Sequence, residues 1–547
     1  LHWVSGLLLL TLLTLVPSAG GEVDQSRLWT DRALASLSEI ELDHNLQSLI
    51  YWIEYLHPAL LTDPRAADFR KKIDQAAVNS GRDTAEKIKR ILDRLDRGPL
   101  QADTPPLLWK ANVHLEELRN NPQKTGVYNV TSDIINAGSE RKLTDAELAP
   151  FLDAFETTAK DQNDDATWGA TALTYQRLAR EAADQGLIDR SNAHADRMVQ
   201  ILVTHPAYQD ISRGNTDASD TFHTPGLLLR LQRREDVAKL AEAAREDHAR
   251  ELWIALAGHL AESGDMDSAR QVIDEQLKGP ADAKAAEAMK SAIDGKPVAL
   301  DVEKEKNFDH STLARSILAV ASGYAKRGDV PAALRVAQVG QTEPWQQVDL
   351  HLSFSKSALD SDQTEAAREF MLNAWKLYKD TPRKNIHTLG KLAMASVQAG
   401  LPDQFVMEIV SVQSSHAFVE PLVAMARRNR EAGNDAECLR LIGRAKRLAE
   451  STPPGDGGST HNLMIVAAEY HAMGDNLMVD NLTLRSALLC EDMRDPYFFA
   501  PGAYLSLVDT CQKMNRPELI ERSYGVLSFP EDQAIFALAV LRLHGKK

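Results

Sequence analysis

Cysteine is nearly missing from this chain: among 547 residues there are three, Cys438, Cys490 and Cys511. A small odd set excludes a disulfide framework, and no Cys-x-x-Cys spacing exists to grip a metal or run dithiol chemistry. Cys438 and Cys511 fall at apolar packing positions and read as buried thiols, while a Cys490–Cys511 bridge is the alternative in an oxidising compartment. Aromatic residues are also scarce, at 6%, and alanine is abundant, which suits close helix-on-helix packing. Positive charge is in deficit: 62 Lys plus Arg against 78 Asp plus Glu leave a formal charge of −16. A field of that sign repels phosphate backbones, so no nucleic-acid partner is expected. The basic clusters Arg70-Lys71-Lys72 and Arg230 to Arg234 sit in helical patterns beside acids and read as solvated faces.

Motifs that carry chemistry are wanting as well. Asp161, Asn163 and Asp165 match the first oxygen positions of a calcium loop, but Ala166 stands where that loop needs glycine and Ala172 where it needs a bidentate glutamate. The stretch reads as a polar loop before a helix. Gly455-Asp456-Gly457-Gly458-Ser459 has neither the Gly-Lys-Ser/Thr ending of a phosphate cradle nor Gly-x-Ser-x-Gly spacing. With its flanks, Ser451 to Ser459 reads as a linker without regular structure. The 16 histidines are scattered, with no His-Glu-x-x-His. No catalytic residue, cofactor or metal site is expected.

Residues 1–20 contain no Lys, Arg, Asp or Glu. Their apolar run through Val16 is shorter than a membrane span and is followed by Pro17-Ser18-Ala19-Gly20, small residues suited to cleavage. This predicts a signal peptide over 1–20 and export to a periplasmic or extracellular location, with an uncleaved N-terminal anchor as the alternative.

What the chain has in quantity is repetition. Trp253-x-x-Leu256-Ala257-x-x-Leu260 leads to Gly264-Asp265 and Ala269. Ile317-x-x-Val320-Ala321-x-x-Tyr324 leads to Gly328-Asp329 and Ala333, and Leu463-x-x-Val466-Ala467-x-x-Tyr470 to Gly474-Asp475. Further copies carry Tyr175, Leu178, Ala179 and Ala182 before Gly186; Leu389, Leu392 and Ala393 before Gly400; Leu422, Met425 and Ala426 before Gly433; and Tyr504, Leu507, Val508 and Cys511 before Asn515. A weaker copy has Phe354 and Ala358 before Asp362, then Ala366-Ala367. Positions i, i+3, i+4 and i+7 make one apolar helix face, which a Gly or Asn then ends because it accepts a left-handed backbone. Asp329 is placed to cap the following helix, with Pro331 in its first turn. Ala269, Ala333 and Ala367 put small side chains where the second helix crosses the first. No single unit can bury its own face, so neighbours must supply the core.

The unit resembles the tetratricopeptide repeat, over about residues 170–535 with irregular stretches at 205–245 and 280–310. It departs from a strict 34-residue period: from turn 328 the steps are 34, 38, 33, 41 and 41. The resemblance implies an all-α fold, a right-handed superhelical solenoid of antiparallel helix pairs. The expected organisation is a helical N-terminal region at 21–170, a repeat array at 171–535, and a helix end and tail at 536–547. Within 21–170, apolar spacing predicts helices over 40–60, 84–96 and 107–119.

In such a superhelix the first helix of each pair lines the concave face. Residues off its packing stripe then include Arg315, Ser322 and Lys326; Arg427 and Arg430; and His461, Met464, Ala468 and His471. Arg427, Arg430, His461 and His471 form the candidate partner-binding strip, suited to a carboxylate or acidic peptide. The expected function is a non-catalytic, exported scaffold that binds protein or peptide. An α/α-toroid enzyme acting on polysaccharide and a structural subunit of an envelope assembly are the competing readings.

Overall fold

The computed structural model describes residues 25–40, 53, 59–79, 106–123, 126–140, 143–205, 223–298, 312–337, 344–381, 385–452, 458–492 and 500–544. Residues 1–20, the predicted helix at 84–96, most of that at 40–60, the charged stretch 301–306 and the linker core 453–457 lie outside them. Among the described residues every regular element is helical. Two compact units appear, one combining residues 1–103 with 494–547 and the other holding 104–493. The boundaries therefore fall elsewhere than at 170 and 535.

In the first unit, α1 (Gln25–Glu39) is followed by the short α2 (Ala59–Thr62) and by α3 (Ala67–Asn79). In the second, α4 (Pro106–Asn120), α5 (Val127–Glu140) and α6 (Asp145–Gln162) precede the pair α7 (Asp165–Asp184) and α8 (Ile188–Thr204). Next come α9 (His223–Arg230) with α10 (Arg234–Ala243), α11 (Glu246–Glu262) with α12 (Met266–Gln276), and an extra helix α13 (Ala283–Ile293). Then α14 (Thr312–Lys326) pairs with α15 (Val330–Val336), α16 (Pro344–Leu359) with α17 (Thr364–Asp380), and α18 (Ile386–Gln398) with α19 (Asp403–Val410). The array ends with α20 (Val419–Glu431) and α21 (Asp435–Glu450), then α22 (Gly458–Ala472) and α23 (Asn476–Asp492). The first unit resumes with α24 (Ala500–Lys513), α25 (Pro517–Val526) and α26 (Pro530–His544).

Each pair packs on itself, and each first helix also packs on the first helix of the next pair: α9 on α11, α11 on α14, α14 on α16, α16 on α18, α18 on α20 and α20 on α22. The second unit is thus an all-α solenoid of antiparallel helix pairs. The helix α13, between α12 and α14, is accommodated without separating α11 from α14. The segment read as irregular at 205–245 holds the α9–α10 pair, and the expected linker ends at Gly458, where α22 begins with Ser459 fully buried. The helix predicted at 107–119 is α4.

The turns repeat one piece of backbone chemistry. Gly186, Gly264, Gly328, Gly400, Gly433 and Gly474 all have positive φ, and Gln232, Asp362 and Asn515 take the same conformation with a side chain. At the α11 end, Gly264 N–H bonds the Ala261 carbonyl at 3.0 Å and Asp265 N–H reaches back to Leu260 at 2.9 Å. The α14 end is the same, Gly328 to Ala325 at 3.0 Å and Asp329 to Tyr324 at 3.0 Å. This double closure satisfies two carbonyls that a helix end leaves open, and it reverses the chain within two residues. Asp329 then caps α15 by accepting from Ala332 N–H at 3.0 Å, with Pro331 in the first turn. Ala269, Ala333 and Ala367 are fully buried at the crossings.

In the first unit, the N-terminal α1 packs on the C-terminal α26. Trp29 is buried with its ring edge-on to Tyr524 at 5.4 Å and near Phe536 at 6.1 Å. Arg32 lies over both Trp29 and Tyr524 and pairs with Glu521 at 2.5 Å. The alternation of Ala534, Ile535, Phe536, Ala537, Leu538, Ala539 and Val540 is buried throughout, so α26 is core and the expectation of a mere helix end at 536–547 is corrected. All three cysteines are free and buried; the Cys490–Cys511 bridge is not formed, and burial pushes the Cys511 thiol up to about 12.

The closest helix contact is α11 on α14. A Cβ on Gly323 would lie 2.2 Å from the Ala261 carbonyl oxygen, and one on Gly258 would lie 2.7 Å from Ser316 Cβ. Gly323→Ala should therefore lower stability by about 2–4 kcal/mol, since backbone must shift to admit the methyl. Gly443→Ala in α21, whose Cβ would meet only Arg447 Nη1 at 3.9 Å, should raise it by up to about 1 kcal/mol through helix propensity. Urea melts of both variants check the contrast.

Candidate functional site

Because every pair turns at the same kind of residue, positions on successive first helices can be counted back from it. Thirteen residues before the turn stand Arg315, Asp349, His387, Glu420 and His461; nine before, Ala319, Ser353, Lys391, Ala424 and Ile465; six before, Ser322, Lys356, Met394, Arg427 and Ala468. These steps of four and three lie along one side of a helix. All fifteen residues but Ala319 are exposed or half-buried, whereas the intervening apolar positions are buried. The helices touch in series, so the three rows form a continuous solvent-facing side of α14, α16, α18, α20 and α22. Its formal charge is positive, four Lys or Arg (Arg315, Lys356, Lys391, Arg427) against two acids (Asp349, Glu420), with His387 and His461 in addition. The chain around it is at −16.

Of the four candidate strip residues, Arg427 and His461 lie on this side and both are exposed. Arg430 and His471 sit three residues before their turns, at its edge, and are half-buried. The arginines do not stand as independent cations. Arg427 Nε donates to Glu469 Oε2 at 3.2 Å and Arg430 Nε to Glu469 Oε1 at 2.7 Å. The Glu469 side chain is 1% exposed, against 55% for Arg427 and 30% for Arg430. A carboxylate buried to that degree is stable only when charge and hydrogen bonds compensate its lost hydration. The hydrogen bond from Glu469 in turn raises the Arg430 pKa. Two arginines of α20 thus clamp one carboxylate of α22. Sequence reading missed Glu469 because it lies in the apolar interval between Leu463 and Tyr470, where an acid carries no pattern of its own.

Similar ties join other first helices. Lys326 at the end of α14 donates to Glu262 at the end of α11 at 3.0 Å, so Lys326 also belongs to a neighbour contact. Burial pushes the Glu262 carboxyl upward, but hydrogen bonds from His259 and Lys326 outweigh it and hold the group at about 2. Ser322 and Ser357 meet at 3.0 Å between α14 and α16. Met464, expected in the groove, is 1% exposed and belongs to the core.

The calcium-like stretch is a helix junction. Asn163 closes α6 at φ 48, and Asp164 caps α7 through Thr167 N–H at 2.9 Å. Among the described residues no group of three His, Cys, Asp or Glu side chains is placed to hold a metal ion. Among them, too, no helix is long and apolar enough to cross a membrane.

No family model matches the chain, and no curated protein matches it. Among solved structures it is similar to a circular tandem repeat protein with novel repeat topology and enhanced subunit contact surfaces, at 14% identity over 95% of this chain and 99% of that one, with a TM-score of 0.13. At that level the likeness adds nothing to what the helix contacts establish.

The clamp is asymmetric, and the asymmetry is measurable. Removing both arginines (Arg427→Ala with Arg430→Ala) strands a buried carboxylate and should cost about 3 kcal/mol. Glu469→Gln leaves two arginines free to reach water and should cost about 1 kcal/mol. Equal losses in chemical denaturation would contradict the clamp.

A second prediction concerns acid. His351, 6% exposed on α16 beside Phe370, has its pKa pulled down to about 4 by burial, against a weaker opposing backbone hydrogen bond at Phe370. Burial likewise lowers His194. An unfolded histidine titrates near 6.5, so between about pH 6.5 and pH 4 the unfolded chain takes up a proton that folded His351 refuses. Its contribution is complete above that window and is lost as pH falls through it. From pH 7 to pH 5 stability should drop by about 2 kcal/mol on this account, and His351→Met should remove that part of the slope in urea melts.

Proposed function

We propose that this chain is a non-catalytic scaffold that binds an extended protein or peptide segment along the solvent-facing side of its first helices, in the manner of tetratricopeptide repeats. The observation that carries this reading is the alignment of Arg315, His387, Lys391, Arg427 and His461 on one side of a stack of touching helices. A peptide laid across such a stack meets one residue from each pair in turn, and guanidinium and ammonium groups favour carboxylates. The partner is therefore an acidic segment. Its attraction is long-ranged in weak salt and screened in strong salt.

The proposal includes export, resting on the uncharged apolar run at residues 1–20 and the small residues that follow it. N-terminal sequencing of the protein from its native cells tests this, and a mature start near residue 21 is the expected result.

The binding reading is tested with a fluorescent peptide of alternating Glu and Gly against its Lys counterpart. Lys391→Glu with Arg315→Glu spares the Glu469 clamp and should weaken capture of the acidic peptide at least tenfold, with unchanged thermal stability. The Lys peptide should bind poorly to the parent chain. Indifference to both charge reversals would remove the basis of the proposal.

A further inference from the structure

A small cleft of about 40 Å³ lies between α5, α7 and α8, away from the side described above. Its walls are apolar, formed by Ile134, Leu143, Leu148, Leu178 and Leu187. Two polar groups on α8, Arg190 and His194, complete it. They are four residues apart, so their side chains share one face of the helix about 6 Å from one another at Cβ.

Both carry a buried nitrogen with no partner. Arg190 is held in place by two of its three nitrogens, Nη1 donating to the Leu143 carbonyl at 2.7 Å and Nε pairing with Asp145 at 2.7 Å. Its Nη2 is buried and makes no hydrogen bond. His194 is 9% exposed, its ring 6.0 Å from that of Tyr175, and its Nε2 is likewise buried and unpartnered. Buried polar atoms without partners are uncommon, because each forfeits about 1–3 kcal/mol of hydration. Two of them lining one apolar cleft call for an occupant.

We propose that this cleft binds a small uncharged aliphatic group bearing a hydroxyl. A hydroxyl oxygen accepts from the Arg190 guanidinium while its proton is donated to the neutral His194 imidazole, and the alkyl part rests on the leucine and isoleucine walls. Charge argues against the alternatives. A carboxylate would face Glu181, which also lines the cleft, and Asp145, which already occupies Arg190. An ammonium ion would face Arg190 itself. The volume suits three or four non-hydrogen atoms beyond what opens to solvent. The hydroxyl belongs either to a free short alcohol or to a threonine side chain of a partner.

Saturation-transfer NMR of the full chain with propan-2-ol, isopropylammonium, acetate and N-acetyl-threonine amide distinguishes these. Propan-2-ol should give a saturable signal in the millimolar range, at least tenfold tighter than either ion. Saturation by the alcohol alone assigns a free ligand; saturation by the threonine amide, with or without the alcohol, assigns a partner's side chain. Gly138→Leu plugs the cleft from α5, where a Cβ meets nothing within 4 Å, and should abolish either signal. His194→Phe preserves an apolar ring but deletes the acceptor and should weaken binding about tenfold, giving a second reading if the first variant folds poorly. No saturable signal from either hydroxyl compound would mean that water alone fills the site and would overturn the proposal, as would binding that survives Gly138→Leu or an ion that binds as well as the alcohol.

Discussion

The left-handed residue at the end of each first helix is the constraint on which the array depends. A helix must stop with its last carbonyls satisfied, and the paired bonds at Gly264, Gly328, Gly433 and Gly474 do this while turning the chain back on itself. The turn decides where the second helix starts, which small residue faces the crossing, and how far each first helix extends. Neighbouring first helices end in the same way, so their side chains come into register. Where Gln232, Asp362 or Asn515 occupies the position, the same closure forms with a side chain in a conformation that costs about 1–2 kcal/mol. Packing on both neighbours offsets that cost.

Register explains why charge in this molecule acts between repeats. Glu469 is held by Arg427 and Arg430 from the preceding first helix, and Glu262 by Lys326 from the following one. Each tie joins first helices that also pack directly. The carboxylates are buried and the cations reach toward solvent, so these pairs fix the position of adjacent repeats more than they add net stability. What is left over is a side on which cations outnumber acids, set in a chain of the opposite sign. That contrast gives the proposed binding side its direction and its selectivity.

The extra helix α13 and the unit built from both chain ends show the limits of repetition. An insertion between α12 and α14 is tolerated because α11 and α14 approach each other through Gly258 and Gly323. In the other unit, Trp29, Tyr524 and Phe536 come from opposite ends of the sequence and share one aromatic core. Separation in sequence of that extent leaves no local trace, since neither helix alone indicates which partner will cover it.

From the sequence by itself came the helical period, the ends of the helices and the succession of pairs. These are local properties: apolar spacing at i, i+3, i+4 and i+7 and a glycine that accepts positive φ are decided within one turn of backbone. Legible too were Arg427 and His461 as residues off the packing stripe. The tertiary structure alone decided that Arg427 and Arg430 share Glu469, that Met464 is buried, that α26 is core, and that Arg190 and His194 face an apolar cleft. Burial and pairing depend on which helix arrives opposite, and a carboxylate at position 469 carries no mark of two guanidinium groups about 40 residues earlier in the chain.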